Sequence, residues 1–166
     1  MMLHRALRFI PLAALIGLFG ISGCNQGGPE TGRARVASPS EPSHEDFNDY
    51  QVHFNAVRSD ELSAEVARAY GIERSSNRVM LNVSILRKEP DGSTVPVDGN
   101  VVASAHNLNG QLKDLQVRRI TEGESVYFIG EVGISGTEIL VFDIQATPED
   151  QPGTYTVQFK REFFAD

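Results

Sequence analysis

Three groups of residues in this sequence carry side chains able to do chemistry. They are a single cysteine, Cys24; the histidines beyond the N-terminal segment, His44, His53 and His106; and the run Arg74-Ser75-Ser76-Asn77-Arg78. A lone thiol can serve as a nucleophile, a metal ligand or an acyl acceptor. The three imidazoles show no HxH, HExxH or carboxylate–histidine spacing of the kind that gathers a metal ion, so they read as surface side chains. The arginine-flanked run is the best candidate for binding. Two planar guanidinium forks four positions apart can hold a carboxylate or a phosphate, and Ser75, Ser76 and Asn77 add hydroxyl and amide groups between them. The competing role is structural: both arginines pair with the chain's acids and Asn77 makes an Asx turn.

Catalytic signatures are missing. No GxSxG or SxxK places a serine nucleophile, and no GxGxxG or GxxxxGK[ST] stands between a strand and a helix. "PEDQPG" and "EPDG" hold acids beside glycine, but neither has the alternating ligands of a calcium loop. Ser75, His53 and Asp143 could meet only through the fold, so a hydrolase with a spatial constellation stays as the alternative to a non-catalytic binding protein. No metal or cofactor is expected.

The surroundings of Cys24 decide its chemistry. Arg5 and Arg8 precede a charge-free run, Phe9 to Ile21, and the small Ser22 and Gly23 lead to the cysteine. Thirteen residues rising ~1.5 Å each reach roughly 20 Å, short of the ~30 Å hydrocarbon core, so the segment reads as an export signal over residues 1–23. "ISGC" resembles the lipobox of bacterial lipoproteins, which implies acylation of Cys24 and a membrane partner through its acyl chains. Asn25 departs from the aspartate linked to inner-membrane retention, which favours the periplasmic face of the outer membrane. Residues 24–46 follow as an anchored cysteine and tether; six glycines and prolines interrupt them, and they have almost nothing apolar to bury. The third unit is residues 47–166, about 120 residues with one core.

Loss of Arg5 and Arg8 with the signal takes the basic count from 15 to 13 against 22 acids, so the formal charge moves from −7 to −9. That field repels phosphate backbones, and nucleic acid is excluded as a partner.

The elements that must position these groups are mostly strands. Tyr50, Val52, Phe54 and Ala56 alternate with polar residues, as do Val79, Leu81, Val83 and Ile85, and as do Tyr155, Val157 and Phe159 near the C-terminus; each set is expected to face the core. One short helix is expected at about 60–70. Ser59 or Asp60 caps it, Leu62, Val66, Ala69 and Tyr70 lie at helical spacing, and Gly71 closes it in the left-handed conformation. Seven strand candidates and this helix predict a mainly β fold, an antiparallel β-sandwich, immunoglobulin-like in general architecture, with its connectivity open.

The stretch "ARAYGIERSSNRVMLNVSIL", with "NLNGQ" and "FDIQATPED", resembles a family of small exported proteobacterial proteins catalogued as domain of unknown function 4426. The resemblance covers about Phe47 to Phe163. It implies an envelope protein with a β fold and carries over no activity and no functional residue. The expected function is a non-catalytic envelope lipoprotein whose β domain binds a protein, peptide or glycan partner.

Overall fold

The structure is a computed structural model that describes residues 42–165. Cys24, the export signal and most of the tether lie outside them. Among the described residues, ten strands form two antiparallel sheets. One holds β1 (His44–Phe47), β2 (Tyr50–Arg58), β3 (Arg78–Lys88), β8 (Ser125–Gly133) and β7 (Gln116–Glu122) in that order, with β4 (Thr94–Val97) paired to β3 where β8 leaves off. The other holds β10 (Tyr155–Phe164), β9 (Thr137–Pro148), β5 (Gly99–Asn107) and β6 (Leu112–Lys113). The expected β-sandwich is present.

The alternating residues do what period 2 predicts. Val52, Ala56, Val79, Leu81, Val83 and Ile85 are buried on the inner face of the larger sheet, against Leu140, Phe142, Ile144 and Val157 of the smaller one. Each fully buried side chain of this size contributes roughly 1.5–3 kcal/mol. Tyr155 and Phe159 pack on the same core while Thr156 and Gln158 are exposed. Phe159 stacks between Phe54 and Phe142, with ring centroids 4.7 and 4.9 Å away.

The helical segment differs from expectation at its start. Ser59–Glu61 form a 3₁₀ turn, and helix α1 runs from Ala64 to Tyr70. Its cap is Ser63, whose hydroxyl accepts from the Val66 N–H, rather than Ser59 or Asp60. At the other end Gly71 is left-handed as expected (φ 64°), and the Ile72 N–H reaches back to the Ala67 carbonyl at 2.8 Å. That closure returns Ile72 to the sheet. The buried face differs from expectation as well. Ala67, with Leu62 and Tyr70 beside it, meets Met80 and Ile129 on the outer face of the larger sheet, whereas Val66 and Ala69 are exposed. The Tyr70 hydroxyl donates to Glu122 at 2.6 Å and Arg118 donates to the Tyr70 carbonyl, which docks the helix over β7 and β8.

Strand pairing begins at His44, inside the stretch expected to be tether. The two-residue turn Asn48-Asp49 folds β1 onto β2, with Asn48 at φ 44°. The stretch "LKDLQVRRI" divides: β6 joins the smaller sheet and β7 the larger. Gly130 explains part of the crossing, because the Leu115 side chain between the two strands lies where a Cβ at Gly130 would stand.

Candidate functional site

The Arg74–Arg78 run is a connection between α1 and β3, and its backbone is clamped from below. Ser59, fully buried, donates its hydroxyl toward the Glu73 carbonyl (2.8 Å) and the Ser75 carbonyl (3.1 Å), and accepts from the Ser75 N–H at 2.9 Å. The Ser75 hydroxyl accepts from the Asn77 N–H, so Ser75, not Asn77, makes the local side-chain turn. The Asn77 carbonyl accepts from Ile134. Arg74 donates to the Asp60 carbonyl at 2.6 Å. Arg78 lies 3.9 Å from Glu73 and 3.8 Å from Glu131, with its side chain about half exposed. Both guanidinium groups therefore have partners within the domain, and those of Arg78 are long.

A second arrangement joins residues that the sequence leaves apart. His44 and His53 are opposite partners in the β1–β2 ladder, and their rings stack with centroids 5.0 Å apart and planes 18° from parallel. His53 is half-buried; burial, then the neighbouring His44, push its pKa below the ordinary 6.5, against a smaller upward pull from Asp46. On the same outer face, Asn55 of β2 is opposite Asn82 of β3, and His53 is opposite Ser84. Ser43, His53, Asn55, Asn82 and Ser84 line a shallow pocket of about 320 Å³. Among the described residues, Asn82 Oδ1 is the buried side-chain atom without a hydrogen-bond partner. This polar patch starts where the cover of α1 ends: Met80 lies under the helix, and Asn82 is the next outward residue along β3.

His106 is on the other outer face, where its Nδ1 lies 3.4 Å from Asp143, which also accepts from Gln158 at 2.6 Å. Ser75, His53 and Asp143 are thus not brought together: one is in the α1–β3 connection and the other two are on opposite outer faces. Ser104 is opposite Asp143 in the β5–β9 ladder. Among the described residues, no group of three or more His, Cys, Asp or Glu side chains could hold a metal ion, and no helix is long and apolar enough to cross a membrane.

The sequence reading missed the Asn55–Asn82 pair and the stacking of His44 on His53. The signal for the second was present. A two-residue Asn-Asp turn after Phe47 sets residues 44 and 53 opposite each other.

Comparison with known proteins places this architecture. The family model described as "Domain of unknown function (DUF4426)" matches residues 44–166. A crystal structure of a DUF4426 family protein from Pseudomonas aeruginosa PAO1 is 33% identical, covering 74% of this chain and 94% of that one, with a TM-score of 0.63. FetP of uropathogenic E. coli strain F11, recombinantly expressed in the periplasm of E. coli, is similar at 9% identity and TM-score 0.52, covering 73% of this chain and 92% of its own. A copper-bound FetP variant is similar at 10% identity and the same TM-score, covering 72% and 93%. No curated protein matches the chain. The chain belongs to the DUF4426 family.

Proposed function

We propose that this DUF4426 protein is a non-catalytic envelope lipoprotein, anchored through acyl chains on Cys24, whose sandwich binds a protein, peptide or glycan partner. The observation that carries the binding role is the uncovered patch on the outer face of the larger sheet. There two amides, two hydroxyls and one imidazole line the shallow pocket, and the Asn82 carbonyl oxygen is buried without a donor. A buried acceptor left unmatched costs about 1–3 kcal/mol, and a ligand's N–H or O–H recovers it. FetP, expressed in the periplasm, shares the fold, which accords with export.

The test is capture of partners from envelope extracts with the full chain and with Asn55→Leu/Asn82→Leu. Partners held by the wild type and lost by the variant support the patch; identical sets from both refute it. Cys24→Ala should abolish membrane fractionation, and acyl chains absent from the wild-type N-terminus by mass spectrometry would refute the anchor.

A second reading places binding at Arg74, Ser75, Ser76, Asn77 and Arg78. It is favoured by the exposure of Arg78 and the length of its ion pairs, since loosely held guanidinium groups can exchange partners. On this reading Arg74→Ala and Arg78→Ala leave stability within about 0.5 kcal/mol and lose the partner.

A further inference from the structure

The two amides of the outer patch are not equivalent. Arg161, on β10, donates to Asn55 Oδ1 at 2.7 Å and to the Ala56 carbonyl. A guanidinium has donors and no acceptor, so it fixes the Asn55 amide with its oxygen toward Arg161 and its NH2 turned away. Asn82, opposite Asn55 in the β2–β3 ladder, offers the complementary atom, a carbonyl oxygen without a donor. Opposed side chains on a sheet face start from Cβ atoms about 4.5–5.5 Å apart. One hydroxyl spans such a gap, accepting from Asn55 Nδ2 and donating to Asn82 Oδ1 at about 2.7–3.0 Å each. The covered Asn82 oxygen reaches it by turning about the terminal torsion of the side chain, which is broad for asparagine.

We propose that this patch is a subsite for a neutral saccharide, with one sugar hydroxyl bridging Asn55 and Asn82. The proposal rests on the binding role given to the patch above and names the class of its ligand.

The lining selects that class. Ser43, His53, Asn55, Asn82 and Ser84 bring hydrogen-bonding groups, and no Asp, Glu, Lys or Arg lines the pocket, in a chain of formal charge −7. Burial holds the His53 imidazole below its ordinary 6.5, so it too is uncharged at neutral pH. An anionic ligand finds no cation in the lining and a cationic one no carboxylate. A peptide that adds as a strand needs an open sheet edge. The patch instead lies on the face of β2 and β3, with β2 between β1 and β3, and β3 between β2 and β8. Phe54, the apolar residue of the lining, is buried in the core, so no apolar side chain is received. The volume of about 320 Å³ is at the small end of the ~300–1,000 Å³ range of ligand sites. A polyol, with a donor and an acceptor on every hydroxyl and no charge, matches this set.

The test is calorimetric titration of the full chain with maltotriose, cellotriose and chitotriose as neutral probes, trigalacturonic acid as an anionic probe and N-acetyl-trialanine amide as a peptide. At least one neutral trisaccharide should bind, with an affinity that changes less than about twofold between about 50 and 500 mM salt, because no ion pair forms. Asn55→Asp keeps the side chain's shape and its contact with Arg161 but puts an acceptor where the donor stood. A hydroxyl has one hydrogen and cannot donate to two acceptors, so binding should weaken about tenfold or more. Asn55 is exposed, so this variant keeps the fold, which circular dichroism checks. Binding by none of the neutral probes, equal binding by Asn55→Asp, or tighter binding of the anionic probe or the peptide overturns the proposal. Failure of the broader reading looks different. An envelope partner lost by Asn55→Leu/Asn82→Leu but not displaced by any of the trisaccharides keeps the patch as a binding site and overturns only its ligand class. Identical capture by wild type and variant removes the patch itself.

Discussion

Replacing Ser59 with alanine should loosen the Arg74–Arg78 connection and cost the domain about 2 kcal/mol. Ser59 is the buried polar residue of the described core. A hydroxyl carries one hydrogen, so it donates to one carbonyl at a time, and Glu73 at 2.8 Å is the nearer. It accepts one further bond, from the Ser75 N–H at 2.9 Å. Two hydrogen bonds at about 1 kcal/mol each are lost, and the Ser75 N–H is left without its acceptor in a part-buried position, where the penalty alone is about 1–3 kcal/mol. Alanine removes one oxygen, so no large cavity adds to this. Urea denaturation should show a lower midpoint with an unchanged slope. Amide exchange at Ser75 should rise well above that of the neighbouring strand residues. A loss under about 0.5 kcal/mol with unchanged exchange would show that water replaces the hydroxyl and that the loop is held elsewhere.

Other perturbations read other parts of the structure. Phe142 is fully buried against Phe159, and Phe142→Ala should cost about 3–5 kcal/mol in urea denaturation. A Cβ at Gly99 would be driven into the Thr147 carbonyl oxygen, a backbone atom that cannot swing away, so Gly99→Ala should cost about 1–3 kcal/mol; at Gly133 a Cβ meets nothing, and Gly133→Ala should cost clearly less. The Tyr50 hydroxyl, and after it Arg87, hydrogen-bond Asp150 and hold its carboxyl below the ordinary 3.8. A lowered folded-state pKa contributes stability above the unfolded value that is lost as pH falls through the folded one. Asp150→Asn should therefore flatten the acid limb of a stability–pH curve below about pH 4, and an unchanged limb would show that the carboxylate is not coupled to folding.

The strands that could be read from the sequence are those with one buried face. Tyr50, Val52, Phe54 and Ala56 alternate because the inner face of β2 excludes water while its outer face does not. The same asymmetry marks Val79 to Ile85 and Tyr155 to Phe159. β1 and β6, of four and two residues, show no such alternation, and β4 alternates exposed Thr94 and Pro96 with more buried Val95 and Val97 over only four residues. Pairing alone makes them strands, and pairing is decided by partners distant in the chain. The helix start shows the same limit. Ser59, Asp60 and Ser63 are all acceptable caps by residue type. The choice falls on Ser63 because the Ser59 hydroxyl is already committed to Glu73 and Ser75, contacts 14 and 16 residues away.

The polar patch was harder to read for a related reason. That Asn82 points outward follows from its place between Leu81 and Val83. That its carbonyl oxygen is nevertheless buried does not, because burial of an outward residue depends on what lies over the sheet. Helix α1 covers Met80 and Ile129 and stops short of Asn82, Ser84 and His53. Its reach is set by where Gly71 ends it and where Ser59 holds the connection that follows. Two residues with no part in binding thus fix how much of the outer face stays open. If Ser59→Ala lets the connection shift, the patch should change with it, so partner capture by this variant should fall even though every patch residue is retained. Full capture at reduced stability would instead show that the patch is shaped by the sheet alone.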